Sequence, residues 1–207
     1  MNKKGLIISS VLVVILVIAG TTLSLLTTKS ETKTNEFVPG VLTAPIWENG
    51  KLAPDNTSSL IPTDKTVKKE VQAENISGPH EVDAYIRVML VPTFRNEYGT
   101  LAGDVQLDPN GGNSITVKAP DGGTVTLNLI DGWGNYWIYD NGYFYFKPVV
   151  HPGKMTKILL EDVTVSDPEL WNTFNLEVLS DSIQAENNAV AEWKMVPEVE
   201  EQLEQYK

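Results

Sequence analysis

The chain has 207 residues, a formal net charge of -11 at pH 7 and no cysteine. The lack of cysteine excludes disulfides, thiolate metal sites and thiol nucleophiles, so stability has to come from packing. The acidic excess opposes binding to nucleic acid and to anionic lipid, and we expect no nucleic-acid partner. The length allows an export segment followed by one domain with a sizeable core.

An apolar segment, Leu6 to Leu26, comes first in the chain. No side chain from 5 to 28 is charged, and Lys3 and Lys4 precede the segment. This pattern predicts a helix that directs export, with the lysines inside and the remaining chain outside. Because about 20 helical residues cross a hydrocarbon core roughly 30 Å thick, residues 1–28 could also anchor the chain in the membrane.

A cleaved signal peptide is the alternative to a permanent anchor. Thr22 and Ser24 supply the small residues that a signal peptidase recognises, so cleavage is predicted between Ser24 and Leu25. The polar stretch from 27 to 35 then predicts a mobile N-terminal segment. A surface protein without disulfides is ordinary for a Gram-positive bacterium, which is the source we expect.

Composition divides the rest of the chain into a variable N-terminal part and a regular domain. Residues 37 to 42 are compatible with a short edge strand, and residues 43 to 64, rich in Pro, Asn, Ser and Thr, predict a surface loop pinned by Trp47. The predicted organisation is a signal peptide or anchor at 1–24, a flexible segment and surface loop at 25–64, a β-sandwich domain at 65–195 and an acidic tail at 196–207.

The predicted domain is built from short strands. Val67 and Val71 share one face of a first strand, and the stretch from 81 to 92 alternates, with Ala84, Ile86, Val88 and Leu90 on one face. Residues 75 to 80 supply a turn that leads either into a hairpin or into a crossover between two sheets.

Two hairpins follow along the chain. Ser114 to Lys118 and Thr124 to Leu129 flank a Pro-Asp-Gly-Gly turn, while residues 136–139 and 143–146 flank Asn141-Gly142, which favours a type I′ turn. Later strands are predicted at 155–165 and 173–179. Short strands with turns at such intervals predict an all-β antiparallel sandwich.

The C-terminal part has a helical rather than a strand pattern. Residues 185 to 195 predict one or two helical turns around Trp193. Val199, Leu203 and Tyr206 form a helical stripe with an acidic opposite face. A helix this short is marginal unless it docks against the domain.

The residues typical of catalysis and metal binding are sparse. His80 and His151 are the only histidines, and neither lies in a metal-binding motif. Adjacent strand residues such as Glu161 and Asp162 point to opposite faces, which separates two carboxylates that acid–base catalysis would need together. The turn at 108–113 lacks the spaced acidic ligands of a calcium loop. We therefore expect no enzymatic activity, no metal and no cofactor.

The aromatic run in the second hairpin is the strongest candidate for a contact surface. An alternating aromatic hairpin places one row of side chains in the core and one row outside. Trp137, Tyr143 and Tyr145 are the candidate contacts for a ligand or for a neighbouring subunit. Core or edge packing is the competing interpretation of the same three residues.

Several spaced stretches resemble bacterial proteins exported through a SipW-type signal peptidase, a family that includes TasA and camelysin. The stretches are Ala19 to Thr27, Thr34 to Gly40, Asp83 to Val88, Gly142 to Phe146 with Pro152-Gly153, and Ser182 to Ala185 with Ala191 to Trp193. The chain departs from the pattern at Leu25-Leu26, which replaces an aromatic pair, and at Ser24, where alanine is common. The metalloprotease activity described for camelysin is not carried over, because no metal-binding motif matches.

The resemblance implies a jelly-roll sandwich, secretion to the cell surface or extracellular matrix, and a structural role in biofilm fibres. The implied partners are the SipW-type peptidase, other copies of the chain and matrix proteins. We hypothesise strand donation, in which Leu25, Leu26, Phe37 and Val38 belong to the donor segment that cleavage frees. A monomeric glycan- or peptide-binding module is the alternative, and a metal-dependent hydrolase is the third.

Overall fold

The computed structural model of the protein describes residues 41–53, 61–78, 81–95, 107–109, 112–186, 189–195 and 197–205. The predicted apolar helix, the cleavage site at Ser24 and Leu25, and the donor residues Leu25, Leu26, Phe37 and Val38 lie outside these ranges. Within these ranges, no helix is both long enough and apolar enough to cross a lipid bilayer.

The described chain consists mainly of short antiparallel strands. They are β1 Val41–Thr43, β2 Ile46–Glu48, β3 Lys51–Leu52, β4 Thr66–Lys68, β5 Val71–Ala73, β6 Ile76–Gly78, β7 Ala84–Phe94, β8 Ser114–Lys118, β9 Thr124–Leu129, β10 Trp137–Asp140, β11 Tyr143–Phe146, β12 Leu160–Val165 and β13 Phe174–Gln184. Short 3₁₀ helices span Trp133–Asn135, Pro168–Asn172 and Ala189–Trp193, and an α-helix, α1, spans Pro197–Glu204. The predicted all-β antiparallel class is therefore confirmed.

Two four-stranded sheets contribute the main core. The first sheet has the order β10-β11-β7-β13 and the second has the order β4-β12-β9-β8. A three-stranded sheet, β3-β2-β5, and the pair β1-β6 complete the pairing among the described residues. Buried side chains from both four-stranded sheets belong to one hydrophobic cluster, since an antiparallel sheet has to bury its apolar face.

Strand β7 forms the centre of the first sheet because its sequence alternates as predicted. Ala84, Ile86 and Val88 have no exposed surface and Leu90 is 2 % exposed. Burying each of the larger aliphatic side chains stabilises the fold by about 1.5–3 kcal/mol. Pro92 is tolerated because β11 pairs with β7 only at Arg87 and Val88, so the missing N–H costs no hydrogen bond on that side.

Both predicted hairpins are confirmed. The pairs β8–β9 and β10–β11 are antiparallel with regular register. Asn141 and Gly142 have φ values of 48° and 88°, the left-handed values that a type I′ turn requires. Because side chains alternate along the strands, Phe144 and Phe146 lie in the main core while Tyr143 and Tyr145 face the other side.

Residues 46–52 form strands where the sequence predicted a surface loop at 43–64. Strands β2 and β3 form a hairpin in which Trp47 pairs with Leu52. Asn49 and Gly50, with φ values of 50° and 73°, form its turn. The high content of Pro, Asn and Ser concealed an Asn-Gly turn with a β strand on each side, so this part of the prediction is wrong.

The single strand predicted around Val67 and Val71 is also replaced by two. Strand β4 pairs with β12 in the second sheet, whereas β5 pairs with β2 in the three-stranded sheet. Between them, the Lys69 N–H bonds to the Glu161 carbonyl and the Glu70 N–H bonds to the Asn49 side chain. The chain therefore changes sheets within two residues, which period-two alternation cannot reveal.

Candidate association surfaces

Strand β13 is the longest exposed edge in the described part of the chain. All eleven of its residues pair with β7, from Phe174 opposite Phe94 to Gln184 opposite Ala84. At about 3.4 Å per residue, the strand extends for roughly 37 Å. Among the described residues, no strand pairs with its other side.

The hydrogen-bond pattern shows which groups of β13 face this open side. The Arg95 N–H donates to the Thr173 carbonyl and the Ala185 N–H donates to the Asp83 carbonyl, each over 2.8 Å. Antiparallel pairing therefore directs the odd-numbered residues of β13 toward β7 and the even-numbered residues outward. In agreement, the Ser182 N–H bonds not to β7 but to the Asp181 carboxylate, at 2.9 Å.

Strand β13 lacks the features with which proteins protect exposed edges. It contains no proline, no lysine and no register shift. By comparison, the edge strand β4 has three residues and carries Lys68, and the edge strand β8 has five residues and carries Lys118. The edge strand β10 has four residues. On the outer face of β13, Leu179 is 53 % exposed. The strand is thus long, regular and open to a further strand.

The described chain begins beside this edge. Strand β1 lies next to β13, and the Ser180 hydroxyl donates a hydrogen bond to the Ala44 carbonyl just after β1. Leu42 and Ile46 pack against the main core on either side of this contact. Strand β1, the first described element, therefore lies beside β13 without pairing with it.

The aromatic hairpin does not present an exposed row. Trp137 is 1 % exposed and packs against Phe146 with ring centroids 5.0 Å apart. Tyr145 is 2 % exposed, and the Trp193 ring lies over it at 5.5 Å. Of the three predicted contact residues, Tyr143 alone is half-buried rather than buried.

Tyr143 and Tyr145 belong to what we call the Arg87 cluster: Arg87, Tyr143, Tyr145, Asp181 and Trp193. The Arg87 guanidinium carbon lies 4.1 Å from the centroid of the Tyr143 ring and 4.7 Å from that of Trp193. The same guanidinium donates to the Asp181 carboxylate over 2.7 Å. Because the Arg87 side chain is only 15 % exposed, its contacts with the two rings lie largely out of water and gain strength accordingly, whereas the Asp181 side chain is 49 % exposed.

Burial also shapes the proton affinity of the tyrosines beneath this cluster. Burial raises the pKa of Tyr145 above its ordinary value, and Arg87 opposes part of this rise by favouring the phenolate. Burial likewise raises the pKa of Tyr85, and the nearby Glu204 carboxylate adds to it. Both phenols therefore stay neutral at physiological pH.

Among the described residues, those considered for catalysis are not assembled into a site. His151 is exposed and its Nδ1 lies 2.7 Å from an Asp83 oxygen, while His80 lies outside the described residues. Glu161 is exposed, whereas Asp162 accepts a 2.6 Å hydrogen bond from Asn128. In the described ranges no three histidine or acidic residues are grouped so as to hold a metal ion.

Sequence reasoning missed the length of β13, because the mostly polar residues from 180 to 184, interrupted only by Ile183, hid a strand that continues past Leu179. Alternation does continue there, with Ser180 and Ser182 less exposed than Asp181.

Comparison of the chain with protein-family models, with curated proteins and with solved structures gives no match.

Proposed function

We propose that the protein is an exported structural subunit of the cell surface or extracellular matrix, and that copies join by strand addition. The single observation that carries the proposal is the β13 edge, eleven residues long, regular and unpaired on its outer side among the described residues. Such an edge accepts an extended segment through backbone hydrogen bonds.

The donor in this proposal is the segment from 25 to 38 of the next copy. Its apolar side chains form two adjacent pairs, Leu25-Leu26 and Phe37-Val38, so an extended form can bury one residue of each pair against the acceptor. Outward groups of Phe174, Leu176, Val178 and Ser180 would supply the ladder, each hydrogen bond contributing about 0.5–1.5 kcal/mol net. Because donor and acceptor are different surfaces, the contact is head-to-tail and propagates into a fibre.

The export part of the proposal rests on the sequence. The apolar segment at 6–26 acts as a signal that a SipW-type peptidase removes after Ser24, which frees the donor segment. Retention of residues 1–28 would instead leave a membrane-anchored subunit. The two four-stranded antiparallel sheets with a shared core support the finer proposal of a jelly-roll sandwich of the TasA and camelysin type.

The alternatives have weaker support from the geometry. A binding module that uses the aromatic hairpin requires exposed rings, and Trp137 and Tyr145 are buried. A metal-dependent hydrolase requires a ligand set, and the described histidine, His151, lies with Asp83 on an exposed surface. A structural role without an enzymatic mechanism and without a cofactor is therefore the function we propose.

A pair of proline variants tests the acceptor. Val178→Pro removes an outward N–H from β13 and places a ring in the path of an added strand, but it leaves the bonds to β7 in place. Thr116→Pro is the matched control. The Ala119 N–H donates to the Gly123 carbonyl and the Leu129 N–H donates to the Asn113 carbonyl, so the backbone groups of the even-numbered residues of β8 also face outward. Both variants should remain folded by circular dichroism.

Electron microscopy of the exported protein gives the decisive comparison. We expect filaments from the parent and from Thr116→Pro, and monomers from Val178→Pro. Deletion of residues 25–38 should likewise leave a folded monomer. Absence of filaments from the parent, or filaments of unchanged length and abundance from Val178→Pro or from the deletion, would contradict the proposal.

A further inference from the structure

Two hairpin turns in the described chain have the sequence Asn-Gly, and their backbone conformations are closely similar. Asn49 and Asn141 have φ values of 50° and 48°, and the glycines that follow them, Gly50 and Gly142, have φ values of 73° and 88°. Both asparagines are exposed to solvent. The two turns therefore differ mainly in the groups that surround each asparagine side chain.

The Asn49 side chain is held through both atoms of its amide group. Its Nδ2 donates to the Lys68 carbonyl over 3.1 Å, and its Oδ1 accepts a hydrogen bond from the Glu70 N–H over 2.9 Å. The Asn49 N–H also donates to the Glu70 carbonyl over 3.0 Å. These bonds fix the side chain against the segment in which the chain changes sheets.

The Asn141 side chain, in contrast, makes no hydrogen bond with any residue that the structure describes. Its turn is held only by the strands on either side, with Asp140 of β10 opposite Tyr143 of β11. The amide group can therefore rotate about its side-chain bonds toward the main chain, while the turn keeps its left-handed backbone conformation.

An unrestrained asparagine before glycine can react with its own main chain. The Gly142 nitrogen attacks the side-chain carbonyl carbon of Asn141 and forms a bond that closes a succinimide ring. The bond from that carbon to the side-chain nitrogen breaks, and this nitrogen leaves as ammonia with the proton that the Gly142 nitrogen gives up. Water then opens the ring at either carbonyl group, which yields aspartate or isoaspartate. Glycine favours the attack because no Cβ lies beside its nitrogen.

We propose that Asn141-Gly142 is a site of spontaneous deamidation in the folded protein, and that the hydrogen bonds of Asn49 protect Asn49-Gly50. Water is the only co-reactant, and no enzyme is required. The inference goes beyond the proposed function and does not rest on it, because it concerns the turn between β10 and β11 rather than the β13 edge.

Deamidation changes this hairpin in two ways. Aspartate and isoaspartate each place a carboxylate beside Asp140. Isoaspartate also directs the main chain through the former side-chain carbon, which lengthens a two-residue turn that requires left-handed φ values. The second residue pair from the turn, Tyr139 and Phe144, has ring centroids 4.8 Å apart. Isoaspartate at position 141 should therefore weaken this end of the aromatic hairpin.

Peptide mapping by mass spectrometry measures the rate of conversion at each asparagine when the full-length protein is incubated in mildly alkaline buffer. We expect Asn141 to convert at least about tenfold faster than Asn49, because two side-chain hydrogen bonds have to break before Asn49 can react. In urea the two rates should approach each other, since the folded structure then protects neither site. A third pair, Asn110-Gly111, lies outside the described residues, and its peptide is measured separately.

Equal rates at Asn141 and Asn49 in the folded protein would overturn the proposal. A difference that persists unchanged in urea would also overturn it, because the flanking sequence would then explain the rates. So would a folded protein in which Asn141 stays intact while the unfolded chain converts at both positions.

The effect on the hairpin is measured on the fraction that carries isoaspartate at position 141 alone, separated by ion exchange and identified by peptide mapping. Asn141→Asp is the matched control, since it carries the added charge without the lengthened main chain. The isoaspartate fraction should melt about 2–4 °C below the parent, and Asn141→Asp should stay within about 1 °C of it. Equal melting temperatures of the isoaspartate fraction and the parent would overturn the predicted weakening of the hairpin.

Discussion

Replacement of Asn75 by aspartate is predicted to destabilise the domain severely. Asn75 has no exposed surface and joins the corner between β5 and β6 to the segment from 150 to 154. Its Nδ2 donates to the Val82 carbonyl over 2.8 Å and to the Val150 carbonyl over 2.7 Å. Its backbone N–H and C=O bond to Lys154 and Gly153. The side chain thus holds the point where the chain crosses from one sheet to the other.

The aspartate side chain has the same shape as that of asparagine but no hydrogen-bond donor, so the loss of unfolding free energy can be estimated from the missing bonds and the added charge. Two hydrogen bonds are lost, each contributing about 1 kcal/mol net, and a carboxylate is placed against two carbonyl oxygens. An uncompensated buried charge costs about 3–5 kcal/mol, so the free energy of unfolding should fall by roughly 3–5 kcal/mol at pH 7. This is a large fraction of the 5–15 kcal/mol typical of a domain.

The loss should depend on pH with a defined sign. Burial raises the pKa of the introduced carboxyl above its ordinary value near 3.9, because the neutral form is favoured in the folded state. The folded protein then binds this proton more tightly than the unfolded chain. The free energy of unfolding of Asn75→Asp should therefore lie closest to that of the parent below about pH 4, and the difference between the two should grow as the pH rises.

Urea denaturation of the purified protein at several pH values measures both effects. Asn172→Asp is the matched control, because that exposed amide donates a single 3.0 Å hydrogen bond to the Glu169 carbonyl. The control should lie within about 0.5 kcal/mol of the parent. A loss below 1 kcal/mol for Asn75→Asp, or a loss independent of pH, would refute the role assigned to this side chain.

Two further predictions concern stability. Because the pKa of Tyr85 is raised in the folded state, the contribution of its proton to stability is fully present below pH 10 and is lost as the pH rises through the folded-state pKa. Tyr85→Phe should therefore weaken the loss of stability at alkaline pH, measured as the melting temperature between pH 8 and 11. An unchanged alkaline profile would contradict the assignment. Gly142→Ala should lower the free energy of unfolding by about 1–2 kcal/mol, because φ at this position is 88°. Gly134→Ala is the control and should lower it less, because an added Cβ at that position meets nothing within 4 Å. Equal melting temperatures of the two variants would argue against strain in the turn.

Local patterns in the sequence were sufficient to predict much of the sheet structure. The two hairpins, the buried face of β7 and the helical stripe of Val199 and Leu203 all follow from alternation, turn chemistry and helical spacing, whereas the docking of that helix does not. These signals are strong because each depends on residues close together in the chain. Side-chain period and turn type then determine the local pairing.

The remaining features depend on contacts between distant residues. Nothing near Arg87 in sequence indicates that it lies between Tyr143 and Trp193, or that Trp193 covers Tyr145. The change of sheet at Lys69 likewise depends on Glu161, far along the chain. The open side of β13 is a property of strand order, which alternation does not encode.

The most direct measurement of the central proposal is amide hydrogen exchange along β13 in monomeric and assembled protein. In the monomer, Glu177 and Leu179 should already be protected by their bonds to β7, whereas Leu176 and Val178 should exchange faster. Assembly by strand addition should protect Leu176 and Val178, on the order of 100-fold, and leave Thr116 of β8 unchanged. Assemblies in which Leu176 and Val178 exchange as fast as in the monomer would contradict strand addition at this edge.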